Sequence, residues 1–411
     1  MTLKIPTILL SLLLLGCSSA SESQIDAHEP GLFHLGDRPA MLAKLLEEGS
    51  LKDQLANCDL TGLGQSELSF GHRGAPFQFA EHTRAGYIAA ASQGAGVLEC
   101  DVTFTKDKEL VCRHSQCDLH TSTNILATDL AQKCTIPPDV NTATPYANVQ
   151  CCTSDITLDE FRSLKGKRDG GNKLAGTLEE FFEGTPGWTG DVGIDYGSLL
   201  SHQDSIKLFD SLGVGMAPEL KSAQVEMPFE GVYTQSMFAA QMLNDYVNAG
   251  IKPNRVYAQS FNLDDLRFWQ QDFPEYAKQA AYLDGRYRDP SFNIDDFNSW
   301  NPSMNALIEE GIKYLAPPTW MLLTLDAQGT IVPSDYAIAA KNAGLELITW
   351  TVERSGPITS GSNWYYQSIQ PAINTEGDVY KVIDVLARQV SVRGIFSDWP
   401  ATTTYYSHCT Q

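Results

Sequence analysis

The stretch Val97-Leu98-Glu99-Cys100-Asp101-Val102-Thr103-Phe104 reads as a buried strand interrupted by two acids. A strand alternates its side chains between two faces, so Glu99 and Asp101 share one side and Cys100 takes the other. Two like-charged carboxylates inside an apolar strand are costly unless a cation or a base lies beside them. Hard divalent cations take such oxygen clusters. Cys100 faces the opposite way, toward a helical layer, and is expected to remain a free buried thiol.

Other chemistry-bearing groups also sit at strand ends. Gly71-His72-Arg73-Gly74 closes an apolar run containing Leu68 and Phe70. Its glycines would let backbone approach a ligand closely, and Arg73 offers a planar fork for phosphate. His114 follows Leu110-Val111-Cys112-Arg113, and Glu219-Leu220-Lys221 follows Val214 and Met216. Each motif alone has a blander reading, such as a turn, a core histidine or a surface ion pair. Their common placement at strand ends favours one site.

Strand-like segments alternate with helical ones along the chain. The strand candidates are residues 68–72, 97–104, 109–114, 192–195, 214–220, 255–261, 280–284, 312–316, 345–352 and 394–397. Helix candidates are 81–93, 158–164, 177–182, 203–212, 236–248, 263–270, 301–310, 333–342 and 377–389. This alternation predicts an α/β fold with an eight-stranded parallel barrel, and an open doubly wound sheet is second. Ten strand candidates exceed eight places, and 192–195 is the first to be demoted.

The 411 residues and 43% hydrophobic content suit one large barrel domain, and a net charge of −21 repels nucleic acid. Residues 1–16 carry Lys4 and a short apolar run ending in Leu14-Leu15-Gly16-Cys17. The run is too short to span a bilayer. It resembles a bacterial lipobox, which implies cleavage before Cys17 and a lipid anchor on its thiol. No Asp follows the cysteine, which in such signals means outer-membrane sorting. The rival is ordinary secretion after Ala20. The organisation expected is a signal peptide at 1–16, a polar tether and N-terminal extension at 17–60, and a barrel at 61–411.

Of nine cysteines, eight remain without Cys17, an even number that suggests disulfides in an exported chain. Cys112, Cys117, Cys134, Cys151 and Cys152 crowd a Thr/Pro/Asn-rich stretch, read as a stapled insertion at about 115–175. Cys58 and Cys409 are candidates to clamp the ends. Zinc is disfavoured, since no Cys-x-x-Cys pair occurs.

In combination these motifs resemble the glycerophosphodiester phosphodiesterase family. The residues that carry the resemblance are Gly71-His72-Arg73-Gly74, Glu81-His82-Thr83, Glu99-Cys100-Asp101, His114 and Glu219-Leu220-Lys221. Weaker matches are Gln259-Ser260-Phe261, Thr349-Trp350-Thr351-Val352 and Gly394-Ile395-Phe396-Ser397-Asp398-Trp399-Pro400. The resemblance spans about residues 67–400. It implies a TIM barrel with an insertion after the third strand, and metal-dependent hydrolysis of glycerophosphodiesters to glycerol 3-phosphate and an alcohol.

By the same resemblance, Glu99, Asp101 and Glu219 bind one divalent cation, Ca²⁺ or Mg²⁺, with export favouring Ca²⁺. His72 and His114 form the acid–base pair, and Arg73 and Lys221 hold the phosphate. Gln259, Trp350 and Trp399 are expected at the mouth, with Gln259 and Trp350 touching substrate. Asp398 is expected to cap a loop, and His82 and His202 to be structural or surface residues. Ser115 stands where the family commonly has Asp, so Asp118 or another group must orient His114; His120 lies near the place of a family Arg.

Two rivals remain. Spider-venom phospholipase D toxins, acting on lysophospholipid or sphingomyelin, share the His, Glu-x-Asp, His pattern but lack the Arg-Gly after the first histidine. A non-enzymatic surface-binding lipoprotein would have lost a ligand or a histidine, and none is lost.

Overall fold

The computed structural model describes residues 33–187, 197–361 and 363–410. Eight short segments pair in parallel, each with the next, and the last returns to the first. They are β1 (Ser66–Gly71), β2 (Ala95–Phe104), β4 (Gly215–Leu220), β5 (Gln259–Ser260), β6 (Ala281–Leu283), β7 (Tyr314–Ala316), β8 (Glu346–Thr349) and β9 (Gly394–Ser397). The ring closes through β9 on β1 and β1 on β2. β3 (Leu110–Cys112) lies outside the ring, antiparallel to the overshooting end of β2, with Val102 opposite Cys112. Candidate 109–114 is therefore not a barrel strand. Candidate 192–195 lies outside the described residues. The other eight supply the barrel.

The period-two alternation of each strand separates two apolar layers. Phe70, Val97, Ala217, Tyr257, Tyr314, Ile348 and Phe396 fill the barrel interior. Leu98, Cys100, Val102, Met216 and Leu220 point outward and join the larger core under the helices. That outer ring includes Arg84–Ser92, His202–Ser211, Gln235–Asn248, Leu263–Asp272, Asp335–Ala343 and Pro400–Cys409. Thr83, Ser201, Thr234, Asn262 and Ser334 cap the first five, each accepting a hydrogen bond from a first-turn amide.

Between β3 and β4 the chain makes the insertion, which has its own core built on Leu119, Ile125, Cys151, Phe161 and Phe181. Cys117–Cys152 and Cys134–Cys151 staple it. Cys58–Cys409 joins the two ends. The expectation of a free thiol at Cys100 is wrong: Cys100 is bonded to Cys112. The outward direction of its side chain was read correctly, but β3 docks on that side of β2 and brings Cys112 to it. All eight cysteines among the described residues are paired, a pattern suited to an oxidising compartment.

Residues 33–60, read as part of a polar tether, are folded. Helices Arg38–Lys44 and Ser50–Ala56 bury Leu42, Ala43 and Leu55 against the barrel. Their short apolar stripes were hidden by the surrounding polar composition. The signal peptide and Cys17 lie outside the described residues. Among the described residues, no helix is long and apolar enough to cross a membrane.

Candidate active site

In a parallel barrel, the loops after the strands gather at one face. Here that face holds a cavity of about 410 Å³ lined by His72, Arg73, Glu99, His114, Glu219, Lys221 and Trp350, among others. β2 contributes Glu99 and Asp101, and β4 contributes Glu219, whose register places it beside Asp101. Ligand oxygens of the three acids lie within 4.8 Å of one another.

The turn after β1 is wrapped tightly around this triad. Arg73 and His82 adopt the left-handed region at φ 57° and 54°, uncommon for residues with a side chain. That conformation lets the Arg73 amide donate to Glu99 Oε2 at 3.0 Å and the His82 amide to the Arg73 carbonyl at 3.0 Å. The glycines beside them do something other than expected. A Cβ on Gly74 would lie 2.9 Å from the Gly86 backbone, and one on Gly71 2.8 Å from the Leu98 side chain. Both let neighbouring elements pack closely rather than giving a ligand access to backbone.

Two histidines are held by acids. His72 Nδ1 lies 3.0 Å from Asp398 Oδ1, leaving Nε2 toward Glu99 at 3.8 Å. Asp398 also accepts from Thr351 Oγ1 and from Arg354 Nη1. Arg354 reaches on to Glu81 at 3.0 Å, and Glu81 in turn accepts from Arg73 Nη1 at 3.1 Å. His82 bridges Tyr87 Oη at 2.7 Å and Asp101 Oδ2 at 2.9 Å. Sequence reasoning missed Asp398, His82, Glu81 and Arg354 as parts of the site, although Asp398 and Glu81-His82-Thr83 stood in the matched motifs. None of their spacings reveals which side chain they face.

His114 lines the cavity one residue beyond Arg113. Arg113 is fully buried: its amide donates to the Asp101 carbonyl at 2.8 Å, and its guanidinium to the carbonyls of Cys112, Ser122 and Glu81. Asp118 accepts from the Ser115 amide at 2.9 Å, so it shapes the loop after His114 rather than holding the ring. His120 accepts from the Cys151 amide inside the insertion. Gln259 is buried beside Glu219 with its amide toward the Ala217 carbonyl, and it does not line the cavity. Trp399 lies under the Arg38 guanidinium at 4.6 Å, also outside the cavity. His202 is structural, held by Asp245 and Tyr246.

The acids outnumber what their neighbours can neutralise. Burial, then Asp101 and Glu219, push the Glu99 carboxyl well above the usual range. Burial pushes Glu219 up to about 7, with Lys221 at 2.7 Å only partly opposing it. Asp101 is penalised by burial too, but Lys221 and His82 draw it well below the usual range. Asp101 Oδ1 is buried without a hydrogen bond among the described residues. That oxygen lies 3.8 Å from Lys221 Nζ, too far for a hydrogen bond. An oxygen-only set with surplus negative charge and an oxygen lacking a hydrogen bond suits a hard divalent cation. Burial lowers both His72 and His114; Asp398 opposes this at His72, while Arg73 and Lys221 add to it at His114.

The family model described as glycerophosphoryl diester phosphodiesterase matches residues 72–402, from the first cavity histidine to past β9. The chain belongs to that family. It is an enzyme of the phosphodiesterase class and carries the family's barrel. A protein of Arthroderma benhamiae named only "Extracellular protein" is 44% identical over 245 residues, 59% of this chain and 98% of its own length. A glycerophosphodiester phosphodiesterase of Arabidopsis thaliana is 26% identical over 184 residues, 41% of this chain but only 23% of the plant protein. The crystal structure of a protein from Silicibacter pomeroyi DSS-3, described as a glycerophosphoryl diester phosphodiesterase, superposes with a TM-score of 0.52 at 19% identity. It covers 84% of this chain and 95% of the other. At that identity the likeness concerns the fold.

Proposed function

We propose that this enzyme hydrolyses glycerophosphodiesters to glycerol 3-phosphate and an alcohol, using one divalent cation and two histidines. The observation that carries the reading is the convergence of His72, His114, Arg73, Lys221, Glu99 and Glu219 on one cavity. Glu99, Asp101 and Glu219 hold the cation. Once bound, it offsets charge developing on a non-bridging phosphate oxygen. Ca²⁺ is preferred over Mg²⁺ because the four disulfides suit an exported protein.

The Arg73 guanidinium lines the cavity, its Nε making no hydrogen bond among the described residues and lying 3.8 Å from Asp101 Oδ2, and it holds the phosphate together with Lys221. Asp398 fixes the His72 tautomer: with the proton on Nδ1, Nε2 is free to accept one. His72 Nε2 takes a proton from the nucleophile, which is water or the glycerol 2-hydroxyl, as its oxygen bonds to phosphorus. The P–O bond to the head group breaks, and His114 gives its proton to the departing alkoxide. Water attack yields glycerol 3-phosphate directly; attack by the 2-hydroxyl yields a cyclic phosphate, which water then opens, the now neutral His114 taking the water's proton and His72 returning its own to the 2-oxygen. Burial is the main cause that lowers His114, and the substrate's negative charge beside Arg73 and Lys221 offsets the repulsion that these two add to it. Trp350 lies against the head group. The same reading places residues 1–16 as an export signal and Cys17 as a lipid anchor.

The test is His72→Ala and His114→Ala assayed on glycerophosphocholine and glycerophosphoglycerol. Each should lower turnover roughly a hundredfold or more while the Ca²⁺ dissociation constant stays near wild type. A chelator should abolish wild-type turnover and Ca²⁺ should restore it. Full turnover by either variant defeats the acid–base assignment.

A further inference from the structure

One side of the cavity wall is largely aromatic. Phe261 meets Trp350 edge-on at 6.0 Å, Trp350 stacks with Trp364 at 6.1 Å, and Trp364 touches Tyr287 at 5.4 Å. Ring faces gathered like this are a known receptor for quaternary ammonium. In this protein a guanidinium already occupies two of them, those of Phe261 and Tyr287. Arg288 lies 4.4 Å from the Phe261 ring centre and 5.5 Å from that of Tyr287.

Three cationic side chains other than histidine line the cavity: Arg73, Lys221 and Arg288. Arg73 faces Glu81 and Lys221 faces Glu219. Nearby Arg286 is paired with Asp284, and the Asp289 carboxylate is taken by Ser291. Among the described residues, Arg288 is in no ion pair and donates no side-chain hydrogen bond. It is positioned by two rings, exposed at the rim, with its donors unused. A stacked guanidinium keeps its N–H edge free for an in-plane anion, and a carboxylate or phosphate is its natural partner.

We propose that this rim is the head-group subsite, and that Arg288 selects glycerophosphodiesters whose alcohol carries an anion of its own, a carboxylate or a phosphomonoester, over those carrying a quaternary ammonium. The proposal rests on the phosphodiesterase reading above. A choline group approaching Phe261 and Tyr287 meets a fixed positive charge, whereas a carboxylate or phosphate meets unused donors.

The experiment compares kcat/KM of the full chain, with Ca²⁺, for glycerophosphoserine, glycerophosphoinositol 4-phosphate and glycerophosphocholine. The wild type should favour one or both anionic head groups by roughly tenfold or more, the worth of one charge-assisted hydrogen bond. The serine and inositol phosphate arms show whether carboxylate or phosphate is the better fit. Arg288→Gln should collapse that ratio toward one, and Arg288→Lys should keep part of it. Arg288 is exposed, so neither variant threatens the fold. A wild type that prefers the choline substrate overturns the proposal. So does a ratio that Arg288→Gln leaves unchanged because all three substrates fall together, which would place the guanidinium on the shared phosphodiester. Absence of turnover on all three would instead remove the phosphodiesterase reading, and this proposal with it.

Discussion

Replacing both Cys100 and Cys112 with alanine separates two jobs that the β2–β3 junction performs. The bond closes a loop with a sequence separation of 12. Chain entropy alone assigns such a loop about 3 kcal/mol. Both sulfurs are fully buried, so lost packing adds to this. Spread over a chain of this size at about 2.1 cal/mol/K per residue, the loss corresponds to a drop in Tm of roughly 4 °C. Activity should behave differently. His114 lies two residues beyond Cys112, and displacing a catalytic group by about 1 Å costs on the order of a hundredfold. The segment has a second anchor, however. The Arg113 amide bonds the Asp101 carbonyl, and the buried guanidinium bonds three further carbonyls. We therefore expect the double variant to melt earlier yet turn over at 25 °C near the wild-type rate. Thermal unfolding followed by circular dichroism, with the other three disulfides intact, gives the first quantity, and a phosphodiester assay gives the second. An unchanged Tm with turnover down a hundredfold would refute this division, because the disulfide would then be the positioning device.

Asp398→Asn should lower turnover about tenfold to a hundredfold, since a charge-assisted hydrogen bond to His72 is worth about 1.5–3 kcal/mol, while Ca²⁺ affinity measured by titration calorimetry stays near wild type. Unchanged turnover would show that the His72 tautomer needs no carboxylate. Glu353 supplies a pH signature. Burial, only partly opposed by Arg38, holds its carboxyl up at about 7. The folded state therefore keeps a proton that the unfolded chain releases near pH 4.5. The stability this gives is fully present below that pH and is lost as pH rises to about 7, by about 3 kcal/mol in all. Urea unfolding between pH 4.5 and 8 should decline less steeply for Glu353→Gln; identical slopes would refute the assignment.

Much of the barrel was legible because buried parallel strands leave short apolar runs at regular intervals. Eight such runs became β1, β2 and β4–β9. Glu109 to His114 misled because a hairpin arm and a barrel strand share the same apolar signature, and only pairing direction separates them. Pairing is a long-range property that a single chain does not print. The shared face of Glu99 and Asp101 was legible for a local reason, because acids two apart on a strand point the same way; Glu219 joined them only through the family resemblance, since alone it read as a surface ion pair. Asp398 was not legible, since its role depends on β9 closing against β1 and so bringing Asp398 to His72. His82 was set aside for lying off a strand end, yet its left-handed backbone folds the turn back onto Asp101. Cys100 shows the same limit, because its direction followed from alternation and its partner did not.

The way the chain enters the barrel sets an orientation. The His34 amide bonds the Ser92 carbonyl at the far end of helix Arg84–Ser92, near Gly94, where the Ser66 amide is also bound. β1 and β2 begin there, so residue 33 enters the fold on the face opposite the cavity. A support coupled at the first described residues, 33 and 34, would sit beneath the ring and leave the opening turned outward, toward diffusing solutes. Immobilised in this way, the enzyme should keep its solution KM, whereas coupling through the loops around Trp364 should raise it.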